Sequence, residues 1–214
     1  PVQLALLAEQ AGADSIVAHL REDRRHIQDH DVARLRKRLR TPLNLEMGLS
    51  ADVIDVALRI APQQVTFVPE KRLELTTEGG LDVAGQFRKV ARAVRTFLDH
   101  GIAVSLFIDP SLRQVAASHR SGARIVELHT GAYAHAARKA PELRHLVAAA
   151  RAARREGLAV AAGHGLTLAN VRAIAAVPEI EELNIGHSII GRALAAGMAR
   201  ATREMKELMN AARR

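Results

Sequence analysis

The chain has 214 residues, a formal net charge of +8 and an apolar fraction of 48%, a composition typical of folded globular proteins that excludes disordered and collagen-like classes. Aromatic residues make up only 2% of the chain, so it lacks the stacking platforms on which RRM domains and single-strand binders depend. The absence of cysteine excludes disulfide scaffolds and thiol catalysis, and with no signal sequence or long apolar run it predicts a cytoplasmic protein without a membrane partner.

Short apolar segments alternate with longer amphipathic segments along the whole chain. Most of the short segments stay apolar until a polar residue near the carboxyl end, as do parallel strands that are buried on both faces. The predicted strands occupy residues 15–20, 43–48, 64–69, 103–109, 125–131, 159–165 and 182–188. The predicted helices occupy residues 2–11, 31–39, 51–60, 84–100, 112–121, 141–156, 168–176 and 189–212.

This alternation predicts one parallel α/β domain over residues 1–214. Eight helices and seven strands, with a helix first, favour a (β/α)8 TIM barrel with extra helices, whose first strand would precede Pro1. A doubly wound sheet is the alternative. Its usual nucleotide-binding fingerprint, G-x-G-x-x-G after a strand, is missing.

Polar side chains occur where the predicted strands end, which is where barrel enzymes carry their reactive groups. Glu46 lies among apolar neighbours in LNLEM, so burial should raise the pKa of its carboxyl and suit it to acid–base catalysis. A single polar residue at the end of a strand can simply face solvent. Several histidines and glutamates at one rim of the barrel instead favour an active site. The strand-end residues are His19, Arg21, Glu46, Glu70, Thr76, Asp109, Glu127, His129, His164 and His187.

Two histidines lie beside glycines just before predicted helices. His164 stands in AGHGL next to Gly165, and Gly186 and His187 precede the last helix. Glycine lets a ligand approach the backbone, and the N–H groups at a helix N-terminus attract anions. These segments would follow strands 7 and 8, where TIM barrels frequently bind phosphate. Tight turns with incidental histidines are the alternative.

The segment HLREDRRHIQDHD, residues 19–31, is rich in arginine and histidine. Arg21 and its neighbours supply forked donors for a phosphate, although Glu22 and Asp23 can equally pair with those arginines on a solvated loop. His26 and His30 have a spacing that a helix can use for a metal, but no H-E-x-x-H motif accompanies them, so no metal site is predicted.

A Schiff-base lysine is not expected. The lysine at a strand end is Lys71, which lies among charged neighbours in VPEKR and is therefore a poor amine nucleophile. The residues alone thus favour acid–base chemistry on a phosphorylated substrate over covalent catalysis.

Long motifs at these positions resemble the pyridoxine 5′-phosphate synthase family of (β/α)8 barrels. They run from Ala8 to Ala193: AEQAGAD, HLREDRRHI, LNLEM, VPEKR with TTEGGLDV, VSLFID, E-x-H-T-G-x-Y, AGHGLT and ELNIGH-x-IIGRA. The resemblance implies condensation of 3-amino-2-oxopropyl phosphate with 1-deoxy-D-xylulose 5-phosphate, with release of phosphate and water and without cofactor or metal. It also implies a homo-octamer.

The resemblance assigns roles residue by residue. His19 and Glu46 match proton acceptors, His164 matches the proton donor, and Glu127 matches a carboxylate that stabilises the transition state. The residues that match contacts to deoxyxylulose phosphate are Arg21, His26 and Thr76. The residues that match the amino-ketone and phosphate site are Gly165, Gly186 and His187.

One part of the family pattern is not found. The family begins with a strand and loop that carry an Asn, an Asp-His pair and an Arg, so we expect the intact protein to carry that strand before Pro1. Two other functions remain as alternatives: another phosphosugar-acting TIM-barrel isomerase, epimerase or lyase, and a basic nucleic-acid-binding protein. The low aromatic content and the even spread of arginine disfavour nucleic acid as a partner.

Overall fold

Seven strands form one parallel sheet in the computed structural model, which describes residues 1–70 and 79–214. Each strand pairs with the next along the chain, in the order β1 to β7. A doubly wound sheet reverses its strand order, whereas this sequential order is that of a β/α barrel, as predicted. The strands are β1 (Ile16–His19), β2 (Leu43–Met47), β3 (Gln64–Phe67), β4 (Ala103–Ile108), β5 (Ile125–His129), β6 (Ala159–Gly163) and β7 (Glu182–Asn184).

Ten helices lie in the described part of the chain, and none of them is long and apolar enough to cross a membrane. They connect and flank the strands. The helices are α1 (Val2–Gln10), α2 (Asp29–Arg38), α3 (Ala51–Ile60), α4 (Phe87–Asp99), α5 (Leu112–Arg120), α6 (Gly131–His135), α7 (Lys139–Arg155), α8 (Val171–Ala175), α9 (His187–Ala196) and α10 (Met198–Ala211).

Two helix predictions were wrong. The predicted helix over residues 189–212 is two helices, because Gly197 takes a φ of 80° and a ψ of 151° and breaks the run between α9 and α10. That backbone conformation is essentially restricted to glycine. The short helix α6 was missed, since its start was assigned to the preceding strand.

The core consists mainly of aliphatic side chains, with few aromatic residues among them. The central strands are almost fully buried, as the continuous apolar runs indicated. Phe67 of β3 packs edge-to-face on Phe97 of α4, with ring centroids 5.6 Å apart. Inside the sheet, the buried Thr66 hydroxyl donates a hydrogen bond of 2.9 Å to the Asn44 carboxamide oxygen, so these two buried polar groups are partners.

The sheet register brings polar residues of neighbouring strands side by side. His19 pairs with Glu46 across β1 and β2, and Gly163 pairs with both His129 of β5 and Asn184 of β7. Because all strands are parallel, their carboxyl ends meet at one edge. β1 and β7 are the outer strands, and within residues 1–70 and 79–214 they do not pair with each other.

Candidate active site

A cavity of about 1060 Å³ lies between β1 and β7. The cavity extends along both outer strands and over the ends of β2, β5 and β6. Thr76, predicted to bind substrate, lies outside the described residues. The other predicted site residues all line the cavity: His19, Arg21, His26, Glu46, Glu127, His164, Gly165, Gly186 and His187. Residues up to 168 positions apart in the chain therefore share one space.

The imidazole of His19 lies between two carboxylates. Its Nδ1 is 3.8 Å from Glu46 Oε2, and its Nε2 is 3.1 Å from Glu70 Oε1. Burial raises the pKa of the Glu46 carboxyl, and the neighbouring imidazoles of His19 and His187 oppose that rise. A carboxyl with a raised pKa next to an imidazole is suited to accepting and returning protons near neutral pH.

Glu127 is the most enclosed acid of the cavity, with 2% of its surface exposed. Its Oε2 accepts a hydrogen bond of 2.8 Å from the Asn184 side-chain amide. Burial raises its pKa well above the ordinary value, the negative charge of Glu46 raises it further, and the Asn184 hydrogen bond opposes both effects. Glu127 therefore favours its protonated form more strongly than an ordinary glutamate does.

Gly163, at the end of β6, provides the space into which Glu127 reaches. A Cβ atom at residue 163 would lie 2.3 Å from Glu127 Oε1 and 2.9 Å from the backbone oxygen of Asn184. Both distances are shorter than real Cβ contacts. The position of the Glu127 carboxyl therefore depends on the absence of a side chain on the neighbouring strand.

His164 follows β6 with a φ of 81°, a left-handed conformation that is uncommon for residues other than glycine. Its ring stands edge-to-face on the His129 ring at a centroid distance of 4.9 Å. Burial, followed by the nearby charges of His129, His187 and His135, lowers the pKa of His164 to about 4. At neutral pH His164 is therefore an uncharged imidazole at the cavity wall.

The N-terminus of α9 faces the cavity. Gly186 precedes its first turn, His187 begins it, and both line the cavity with Ser188 and Ile189. The first turn carries no acidic residue, and the first N–H groups of a helix have no acceptor within the helix. The positive end of a ten-residue helix beside an imidazole suits a phosphate group.

The arginine-rich loop after β1 divides its side chains between ion pairs and the cavity. Arg24 pairs with Asp29 and Asp52, each at 2.8 Å, while Arg25 pairs with Asp23. Arg21 is 5% exposed and lines the cavity, with its Nε 3.6 Å from Asp23 Oδ1. Arg24 and Arg25 therefore form ion pairs on the loop, as one of the two interpretations predicts, whereas Arg21 lies at the cavity, as the other predicts.

No group of three or more histidine or acidic side chains that could hold a metal ion occurs among residues 1–70 and 79–214. His30 faces Asp31 at 3.6 Å, whereas His26 lines the cavity, so the two histidines do not form a pair.

Three polar contacts near the site were not assigned from the sequence. Asn184 holds Glu127, and Glu70 holds His19. Asp109 Oδ1 lies 3.1 Å from His129 Nδ1, and this hydrogen bond, opposed by burial, lowers the pKa of Asp109. Glu70, Asp109 and His129 were among the predicted strand-end residues, whereas Asn184, in the strand segment ELN, was not selected as a site residue.

The order of its strands defines a β/α-barrel protein, and acids and imidazoles lie together in its cavity. Two solved structures show the same fold. Phosphoribosyl anthranilate isomerase from Thermus thermophilus is 17% identical with a TM-score of 0.65, covering 100% of this chain and 96% of the other. KGPDC from Streptococcus mutans is 13% identical with a TM-score of 0.69, covering 98% and 90%.

Sequence comparison shows the family to which this chain belongs. The family model described as "Pyridoxal phosphate biosynthesis protein PdxJ" matches residues 1–211, and this chain belongs to that family. Two relatives are named pyridoxine 5′-phosphate synthase. The one from Synechococcus sp. strain RCC307 is 55% identical over 100% of this chain and 85% of its own length. The one from Syntrophotalea carbinolica is 54% identical over 99% of this chain and 90% of its own length.

Proposed function

We propose that this chain is an enzyme that makes pyridoxine 5′-phosphate by condensing 3-amino-2-oxopropyl phosphate with 1-deoxy-D-xylulose 5-phosphate. The observation that carries the proposal is about 55% identity, over essentially the whole chain, to relatives named as this synthase. The cavity supports it, because the acids and imidazoles that the resemblance predicted all line one space.

The reaction requires proton transfers rather than a protein nucleophile. The amine of one substrate attacks the ketone of the other, and dehydration, phosphate loss and ring closure each move protons. We assign proton acceptance to His19 and Glu46, whose side chains face each other at 3.8 Å. We assign stabilisation of the developing charge to Glu127.

His164 is proposed as the proton donor. With a pKa of about 4 its imidazole is neutral near pH 7, so it has to gain a proton before it donates one as an acid. Two phosphorylated substrates bring negative charge beside its ring, and nearby negative charge favours the protonated form of an imidazole. Substrate binding thus prepares His164 for its role.

The binding roles follow the same resemblance. Arg21, His26 and Thr76 would contact deoxyxylulose phosphate. Gly165, Gly186 and His187 would hold the amino ketone and its phosphate, which agrees with the free N–H groups at the start of α9. Correct mutual orientation of two reactants contributes about 7–11 kcal/mol to such reactions.

The protein's organisation is part of the proposal. We expect one barrel domain over the whole chain, a cytoplasmic location, a homo-octameric assembly, and no metal or cofactor requirement. Light scattering of the purified protein measures the assembly, and activity in the presence of a chelator tests the metal requirement.

Mixing experiments test the reaction. The protein is incubated with each substrate alone and with both, and pyridoxine 5′-phosphate is followed by mass spectrometry. Product only in the complete mixture supports the synthase. Conversion of a single phosphorylated substrate would instead identify an isomerase, epimerase or lyase on the same fold.

A further inference from the structure

Glu70, just beyond β3, connects three separate parts of the rim. Its Oε1 lies 3.1 Å from His19 Nε2, at hydrogen-bond distance, and accepts a hydrogen bond of 2.9 Å from the Gly48 N–H. Its Oε2 accepts the Glu22 N–H at 3.0 Å. The Glu70 side chain is 8% exposed, so this carboxylate is held between the end of β1, the loop after β1 and the end of β2.

The surroundings of Glu70 keep it ionised. Burial acts to raise its pKa, but the hydrogen bonds from His19 and the two backbone N–H groups outweigh burial and hold the pKa below its usual value. An ionised carboxylate accepts hydrogen bonds and cannot donate them. The ring nitrogen of His19 that faces Glu70 must therefore carry a proton.

We propose that Glu70 is a positioning residue that fixes His19 in the tautomer protonated at Nε2 and turns its Nδ1 lone pair toward Glu46. In a neutral imidazole one nitrogen donates and the other accepts. With Nε2 committed to Glu70, Nδ1 is the nitrogen that accepts a proton in the cavity. Glu46 Oε2 lies 3.8 Å from that nitrogen, so the two proposed proton acceptors face the same part of the cavity.

The sequence around Glu70 fits this arrangement. A Cβ atom at Gly48 would lie 3.0 Å from the Glu70 carboxyl carbon, at the limit of real contacts. A side chain at position 48 would press on the Glu70 carboxyl group, which would have to shift by a few tenths of an ångström. The segment LNLEMG supplies Glu46 and, at Gly48, the space beside the Glu70 carboxyl group. The segment VPE supplies Glu70, the carboxylate that orients His19 in the proposal.

Nitrogen NMR of the wild-type protein tests the tautomer without any substrate. Long-range nitrogen–proton spectra of the labelled protein, at a pH where the ring is neutral, distinguish the two tautomers, and a His19→Asn variant assigns the signals. The expected pattern has the proton on Nε2. A neutral His19 with its proton on Nδ1 would overturn the proposal even if the protein is an active synthase.

Two variants extend the test to the reaction, and this part rests on the proposed function. Glu70→Gln should allow the other tautomer and lower kcat by about 10- to 100-fold, with KM changed by less than about threefold, since acid–base groups contribute about 10²–10⁴-fold. The control is Glu156→Gln, because Glu156 faces His119 at 3.8 Å in a half-exposed pair outside the cavity. The control should behave as wild type.

The results separate the two proposals. Unchanged kcat and an unchanged His19 spectrum in Glu70→Gln would refute the positioning role. A wild-type protein that makes no product from both substrates, but shows the Nε2 proton, would instead contradict the proposed reaction and leave the tautomer assignment supported.

Discussion

Replacing Gly163 with alanine should damage the site through one contact. The added Cβ would lie 2.3 Å from Glu127 Oε1, so the carboxyl has to retreat by about 1 Å to reach an ordinary van der Waals distance. The backbone oxygen of Asn184, 2.9 Å from the same Cβ, prevents an easy shift of the strand in the other direction. Because Asn184 also donates to Glu127, the displacement weakens that hydrogen bond.

The expected magnitudes follow from this crowding. Overpacking of a close-packed interior costs about 1–3 kcal/mol of unfolding free energy. A displacement of about 1 Å at a reacting group costs about 100-fold in rate. Gly163→Ala should therefore fold, unfold at lower urea concentration, and lose about 100-fold in kcat for the condensation.

Gly191→Ala is the matched control. Gly191 lies inside α9, and a Cβ there meets no atom within 4 Å. Alanine is favoured over glycine in a helix by about 0.5–1 kcal/mol, so the control should be slightly more stable and equally active. If Gly163→Ala kept kcat within about threefold and stability within about 0.5 kcal/mol of wild type, the contact would not constrain Glu127.

Three further outcomes are expected. Glu46→Gln should retain substrate KM within about threefold but lose at least about 100-fold in kcat, and an unchanged kcat would exclude a base at this position. His187→Ala should raise the KM of the amino ketone more than it lowers kcat, because the ring stands at the proposed phosphate site; the reverse pattern would show that His187 takes part in the chemistry. As pH falls from about 6.5 to about 4, unfolded His164 binds a proton that the folded state excludes, so the wild type loses stability in this window. Asparagine tolerates the left-handed backbone at position 164, so the His164→Asn variant should fold. Over the same pH range, its unfolding free energy in urea titrations should fall by about 1–3 kcal/mol less than that of the wild type. Identical losses would contradict a depressed pKa at His164.

The barrel was predictable because its signals are local. Most of the seven strands lie in short, mainly apolar segments that end near a polar residue, so the number of strands and their parallel, sequential order could be predicted from the sequence. The break at Gly197 was not predictable from periodicity, because the amphipathic pattern continues through it. Gly197, whose backbone angles separate α9 from α10, has no side chain to alter that pattern.

The sequence predicted which residues line the cavity, but not which residues form hydrogen bonds with them. Strand-end positions and the family motifs selected His19, Glu46, Glu127 and His164, which line one cavity. The residues that form hydrogen bonds with these side chains could not be predicted. Glu70 lies 51 positions from His19 in the sequence, and Asn184 lies 57 positions from Glu127, so only the arrangement of the strands in the sheet brings them together.

The two cavity carboxyls differ in the charges that surround them. Burial raises the pKa of both, but Glu46 faces the imidazoles of His19 and His187, whose positive charge, when they are protonated, favours its ionised form. Glu127 faces the negative charge of Glu46, which favours its protonated form. The pair therefore titrates in two steps, and we expect Glu46 to lose its proton first. Separated pKa values in one site provide an acceptor and a neutral donor at the same pH, as ring closure with successive proton transfers requires. In the proposed reaction, Glu127 would therefore stabilise developing charge by donating a hydrogen bond, while Glu46, with His19, would accept the proton.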